Sequence, residues 1–351
     1  MKICFVLPGY PRRPIGGYKI VFEYANELVK DGYEVNILFQ NNDALKGYPL
    51  PEFLKLRFIK LFTKLEPRWF NLDKRIKKLS FRNDNCLNEI NSTDIAIATA
   101  LSTAAFTKQT FKNSKLCYFI QDFENWNGIS KEEVYDTYNM GFKNIVVSKS
   151  LKEVVDSHSS NKSIYVQNPI DTNTYKIQNP IQNRSSNLVG MLYHKNPAKG
   201  SKYALAALKK VKMDFPELHL IMFGTADKPK NLPDWIEYHQ NASQDETIRI
   251  YNKVSIFVSA TIFEGFGLTG LEAMACGAAL VSTDYSAVRE YANESNSMLS
   301  PVKNIDLLSK NIESLMNDAD KRVEIATKGH ETAQAYSMKN AYEKFKKAIL
   351  D

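Results

Sequence analysis

The first half of the chain alternates short apolar runs with stretches whose apolar residues recur every three or four positions. Ile3 to Leu7 is an apolar run ended by Pro8-Gly9, which predicts a buried strand running into a loop. The loop, Pro8 to Gly17, is rich in proline and glycine. Val21, Tyr24, Ala25, Leu28 and Val29 then fall on one face of a helix that Asp31-Gly32 ends. Tyr33 to Phe39 reads as a second strand, and Ile95–Ala98, Lys115–Ile120 and Asn144–Val147 as further ones. Strands alternating with helices predict a parallel sheet covered on both faces.

The pattern restarts after Asn168-Pro169-Ile170-Asp171. Strands are expected at 187–192, 219–223, 255–259 and 278–282, with a helix at 202–211. The polar stretch from Gln178 to Ser186 places a linker near 168–186. The reading is therefore α/β, with two Rossmann-like domains at 1–168 and 169–337. A last helix, about Met338 to Leu350, follows the Tyr336-Ser337 break and is expected to cross back to the first domain.

A length of 351 residues suits two domains, each able to bury a core. No apolar run approaches the ~20 residues that span a bilayer. The first strand is too short and too soon broken to serve as a signal peptide. Four cysteines (Cys4, Cys86, Cys117 and Cys276) stand far apart without a CxxC, and Cys4, Cys117 and Cys276 lie in apolar stretches, as buried thiols of a reducing cytoplasm would.

The net charge of +7 is localised. Between Pro51 and Arg82 ten lysines and arginines face three acids, a surplus equal to that of the whole chain. Phe53, Phe58, Leu61, Leu65 and Trp69 are interleaved with them. Two readings stand: an interfacial helix on an anionic membrane surface, or a strand and a surface helix that are simply basic. No nucleic-acid motif accompanies the charge, so nucleic acid is not an expected partner.

The chemistry concentrates between Ser259 and Gly277. A strand ends at Ser259, a turn carries Gly265 and Gly267, and a helix runs from about Leu268 to Ala275 with Gly277 as its C′ residue. The amino end of a helix after a parallel strand offers unpaired N–H groups and positive dipole to an anion. Glu264 stands before that helix and Glu272 one turn into it. Carboxylates accept hydrogen bonds from sugar and ribose hydroxyls, so one ligand is expected to meet both. Taken singly, Glu264 reads equally as a capping acid and Glu272 as a solvated helix carboxylate.

The run Glu264 to Gly277, EGFGLTGLEAMACG, resembles the E-x7-E signature of the retaining glycosyltransferases of family GT4, whose fold is GT-B: two Rossmann-like domains facing across a cleft. The resemblance implies that Glu264 contacts the transferred sugar and Glu272 the ribose. It also implies that the turn Gly265-Phe266-Gly267-Leu268 meets the diphosphate through its backbone. Thr269 and Ala279 stand where the family usually has proline. A second family element, GRLxxxKG, corresponds to Gly190 through Gly200. Lys199 matches its lysine, and Met191 replaces its arginine. Either His194 or Lys195 supplies the missing positive charge, or it is absent.

Gly16-Gly17 matches the family's glycine pair after the first strand, and reads equally as an ordinary turn. The Gln121-Asp122-Phe123-Glu124 segment resembles a subgroup that includes bacterial surface-polysaccharide transferases. Asp122 is either the group that receives the acceptor hydroxyl, as catalytic base, or a loop-capping acid. The resemblance implies a nucleotide sugar as substrate, its base unresolved among UDP, GDP and dTDP, with no cofactor and no metal. The acceptor is a saccharide or a lipid-linked one, and the enzyme is cytoplasmic or peripheral on the membrane's inner face. The GFGL…LEAMACG run argues against an epimerase. The missing arginine leaves a weakly active nucleotide-sugar-binding subunit as the alternative.

Overall fold

The computed structural model describes all residues except 42–43, 82–86, 91 and 127. Cys86 and Arg82 therefore lie outside the described residues. Two compact units emerge: Met1–Gln167 with Tyr342–Asp351, and Asn168–Ala341.

The first unit runs β1 (Lys2–Leu7), α1 (Gly16–Lys30), β2 (Glu34–Gln40), α2 (Glu52–Leu65), β3 (Lys77–Phe81), α3 (Leu87–Ile90), β4 (Ile95–Ala98), α4 (Leu101–Thr110), β5 (Lys115–Ile120), α5 (Lys131–Tyr138), β6 (Lys143–Val146), α6 (Lys149–His158) and β7 (Ile164–Tyr165). Its strands form one sheet in the order β3-β2-β1-β4-β5-β6-β7, every pair parallel. The second unit runs β8 (Leu188–Leu192), α7 (Ser201–Asp214), β9 (His219–Gly224), β10 (Ile236–Gln240), α8 (Gln244–Lys253), β11 (Ile256–Ser259), α9 (Leu268–Ala275), β12 (Ala279–Thr283), β13 (Ser297–Ser300), α10 (Ile305–Asn317) and α11 (Ala319–Gln334), and the chain ends in α12 (Met338–Leu350). Its sheet, also parallel, is ordered β10-β9-β8-β11-β12-β13.

In each sheet the strand order turns back beside the unit's first strand: between β1 and β4, and between β8 and β11. Open parallel sheets take their ligands at the carboxyl ends of strands at such a switch point. These strands are apolar because both faces are covered: Ile3, Phe5, Ile95 and Ile97 are buried in one unit, Val189, Ile256 and Val258 in the other.

Two stretches differ from the sequence expectation. Gly16 and Gly17 open helix α1 instead of lying in a loop, with Ile15 as an N-cap that offers no side-chain acceptor. Residues 168–186 are packed into the second unit rather than linking freely. Arg184, buried, donates to the carbonyls of Asn179, Tyr251, Val254 and Cys276 at 2.6–3.2 Å. A guanidinium that binds four carbonyls holds this polar segment in place without an apolar core of its own.

From Tyr342 onward α12 belongs to the first unit. Phe345 stacks on Tyr24 with ring centroids 4.2 Å apart, and Tyr342 donates to Asp31 at 2.6 Å.

The basic segment is helix and strand in succession. Ile59 and Thr63 are the buried residues of α2, while Phe53, Phe58, Leu61 and Leu65 are exposed. Helical spacing puts Arg57, Lys60 and Lys64 among these exposed apolar residues, on the face opposite Ile59 and Thr63. The charge beyond α2 is largely spent: Arg68 pairs with Glu66, Arg75 with Asp73 and Lys77 with Glu89, and Lys78 donates to the carbonyls of Lys64 and Glu66. Among the described residues no helix is long and apolar enough to cross a membrane.

Candidate active site

The second unit's switch point brings two distant segments together. After β8 the chain makes a tight 3-10 turn, Pro197–Lys199, capped by Asn196, and enters α7 through Gly200. Gly200 has a left-handed φ of +64°, and a Cβ there would overlap the Ala260 carbonyl that follows β11. Only glycine permits that approach. The amide of Ile262 donates to the Ala198 carbonyl at 2.7 Å, tying the turns after β8 and β11 to each other. The result is a direct ion pair between the Lys199 ammonium and Glu264, both about three-quarters or more shielded. They share a narrow recess with Met191, Ser259, Thr261 and Thr269.

The turn into α9 is fixed from behind. Gly267 has φ +96°, and a Cβ there would overlap the Tyr285 hydroxyl. Tyr291 donates to the Gly267 carbonyl at 2.7 Å. Gly265 and Phe266 are buried, and the Phe266 ring packs on Tyr291 and Tyr336. Phe266 can thus contribute only backbone to a ligand. No side chain caps α9 and no acid stands in its first turn. The N–H groups from Leu268 onward are therefore left to an anion.

Glu272 lies deeper than the sequence suggests. It is buried, and Tyr251 donates to its Oε2 at 3.2 Å. Burial, the largest influence, and the charge of Glu272 push the Tyr251 hydroxyl well above its ordinary range, so it remains a donor. Glu272 is not on the wall of the recess that holds Lys199 and Glu264. The structure brings Lys199, Glu264 and the start of α9 together, and sets Glu272 apart with Tyr251. Tyr251 was not legible in the sequence: it sits on another helix, 21 residues away.

Neither candidate for the missing positive charge lines the recess of Lys199 and Glu264. Burial pulls the His194 imidazole below its ordinary pKa, and Nδ1 accepts the Asn196 amide at 2.9 Å, so the ring is neutral. Lys195 is exposed and paired with Asp227 at 3.4 Å. Met191, which replaces the arginine, is buried in the core. Asp318, of the chain's Asp318-Ala319-Asp320 run, caps α11 by accepting the Lys321 amide at 2.9 Å. Among the described residues no group of three or more His, Cys, Asp or Glu could hold a metal ion.

In the first unit, Gly17 lies under the Gln121 amide, whose atoms would sit 3.2 Å from a Cβ. Asp122 Oδ1 accepts the Phe123 amide at 2.9 Å, a loop-shaping bond. Glu124, two residues on, carries no motif signal of its own in the sequence and is the more unusual acid. It accepts the Leu101 amide at the start of α4 at 3.2 Å. Burial, with a smaller contribution from Asp122, raises its pKa to about 7.

The fold of two such all-parallel units is the GT-B glycosyltransferase fold. Residues 174–332, most of the second unit, match the family model described as Glycosyl transferases group 1. The chain superposes on the crystal structure of HepE from Anabaena in complex with UDP and glucose with a TM-score of 0.76, at 16% identity over 99% of both chains. It is 27% identical over 202 residues to an uncharacterized glycosyltransferase of Methanocaldococcus jannaschii, covering 56% of this chain and 55% of that one. It is 29% identical over 107 residues to the O-antigen chain mannosyltransferase B of Escherichia coli, covering 30% and 28%. The chain thus spans about half of the first relative's length and under a third of the second's. These matches support a place in the glycosyltransferase superfamily.

Proposed function

We propose that the chain is a retaining, metal-independent glycosyltransferase of cell-surface polysaccharide synthesis. In this reading the second unit binds a nucleoside diphosphate sugar and the first holds a saccharide or lipid-linked acceptor. The observation that carries it is the Lys199–Glu264 pair at the carboxyl ends of β8 and β11, beside the uncapped start of α9.

Lys199 and the amides of Gly267 and Leu268 face the diphosphate, whose negative charge grows as the sugar departs in an oxocarbenium-like state. A diphosphate at Lys199 competes with Glu264 for the ammonium. That frees the carboxylate to accept from hydroxyls of the transferred sugar. Glu272, oriented by Tyr251, takes the ribose. In the first unit the amino end of α1 at Gly16 and Gly17 faces a phosphate or the acceptor, and Asp122 takes the acceptor hydroxyl. A relative that is a mannosyltransferase of O-antigen chains and a structural neighbour in complex with UDP and glucose support a nucleotide sugar.

The test is turnover of UDP-, GDP- and dTDP-sugars with and without EDTA. One donor should be consumed, unaffected by chelation. Glu264→Gln and Lys199→Met should each slow it by about 10²–10³-fold, the range for losing one preorganised electrostatic group. Loss of turnover in EDTA, restored by Mn²⁺, would remove metal independence. The buried Met191 favours a second reading, a weakly active nucleotide-sugar-binding subunit; such a protein binds the nucleotide and never releases it from sugar.

The exposed face of α2, with Phe53, Phe58, Leu61 and Leu65 among three cations, fits an anionic membrane carrying a lipid-linked acceptor. The chain should sediment with vesicles containing anionic lipid and not with neutral ones. Equal recovery with both would end the membrane reading.

A further inference from the structure

A cavity of about 390 Å³ opens in the first unit, at the carboxyl ends of β1 and β2. Its volume falls in the range of small-ligand pockets. The turn Pro8–Arg12 forms one wall; Gln40, Asn41, Leu45 and Tyr48 form the other.

The first wall is built to be rigid. Asn41, itself buried, accepts the Tyr10 amide at 3.3 Å and donates to Ser80 at 2.8 Å. Trp69 donates its indole N–H to the Pro11 carbonyl at 3.1 Å. Arg12 then projects at the rim. Its guanidinium lies 5.6 Å from the Tyr10 ring centroid and 5.0 Å from that of Phe62, and it donates to the Tyr10 hydroxyl at 3.3 Å. Two aromatic faces orient it. Among the described residues no carboxylate pairs with it.

An oriented guanidinium is a bidentate receptor for carboxylate or phosphate oxygens. Tyr48, largely exposed, and Gln40 line the same cavity. An aromatic face with an amide and a cation suits a sugar ring bearing an acidic group: stacking on its apolar C–H face, hydrogen bonds to hydroxyls, a fork to the anion.

We propose that this cavity is an acceptor subsite selective for an anionic saccharide, with Arg12 reading the acid and Tyr48 stacking the ring. The proposal rests on the glycosyltransferase reading only in calling the ligand an acceptor. The anion's source is either the carboxylate of a uronic acid or the phosphate of a phosphosugar.

The experiment titrates the full chain, with whichever of UDP, GDP or dTDP it binds in excess to occupy the second unit, with glucuronic acid, glucose 1-phosphate and glucose. At least one acidic sugar should bind ten-fold or more tighter than glucose, and the ratio of the two acids identifies the source. Arg12→Gln should abolish that preference. Tyr48→Ser, also on an exposed side chain, should weaken all three. Equal binding of glucose, no binding at all, or a preference untouched by Arg12→Gln would overturn the proposal. Binding of UDP, GDP and dTDP, measured beforehand on the same preparation, reads the second unit separately, so failure of the subsite and failure of the glycosyltransferase reading are told apart.

Discussion

Gly200 carries the greatest steric demand in the second unit, because the turn holding Lys199 touches backbone, not a side chain that could swing away. Gly200→Ala would place a methyl group against the Ala260 carbonyl and force a non-glycine residue to a φ of +64°. We expect a loss of at least about 3 kcal/mol in urea unfolding. Gly47→Ala, where a Cβ meets nothing within 4 Å, should change stability by less than ~1 kcal/mol. Similar losses at both positions would contradict the close approach that pairs Lys199 with Glu264. Glu124 makes a pH prediction. Its pKa is raised to about 7 by burial, so the folded chain holds a proton that the unfolded chain releases near the ordinary value of about 4.5. The stability linked to Glu124 is complete below that value and is lost as pH rises through about 7. Unfolding at pH 5 and pH 8 should therefore show Glu124→Gln gaining on the native chain at the higher pH. A difference that is independent of pH would contradict the partly buried placement of Glu124.

Elements were legible in proportion to how deeply they are buried. The central strands β1, β2, β4, β5, β8, β9, β11 and β12 read as apolar runs because both faces are covered. The edge strands β7, β10 and β13 were not read, and β3 only as one alternative for the basic segment. Each lies at the border of its sheet. There part of the surface faces solvent, as at Lys77 and Glu237, and polar residues such as Ser297 break the apolar pattern. Helix α9 was legible from Leu268 to Ala275 because a left-handed glycine closes each end, Gly267 at φ +96° and Gly277 at φ +83°. Helix α12 was legible as a helix, but its anchor was not. Phe345, against Phe5, Tyr24 and Phe119, is packing among residues far apart in sequence. Phe345→Ala should cost about 3–5 kcal/mol, the usual range for a buried phenylalanine. A loss under ~1 kcal/mol in denaturant unfolding would mean that α12 is not held by this ring.

At the scale of the whole molecule, one architecture occurs twice, and the two switch points carry different chemistry. The second offers a lysine, a carboxylate and an uncapped helix start. The first offers a rigid turn with an arginine and an acid whose pKa is raised to about 7. The motif from Glu264 to Gly277 made the second legible because its residues are local in sequence. What escaped, Tyr251 behind Glu272 and the cavity beside Arg12, joins positions that only the folded sheets bring together. The central claim is that a diphosphate rests on Lys199 at the start of α9. Calorimetric titration of UDP against UMP, repeated for the GDP and dTDP pairs, reads it most directly. The cognate diphosphate should bind at least ten-fold tighter than its monophosphate, and Lys199→Met should erase that gap. Binding of neither form, or a gap that survives Lys199→Met, would contradict the account.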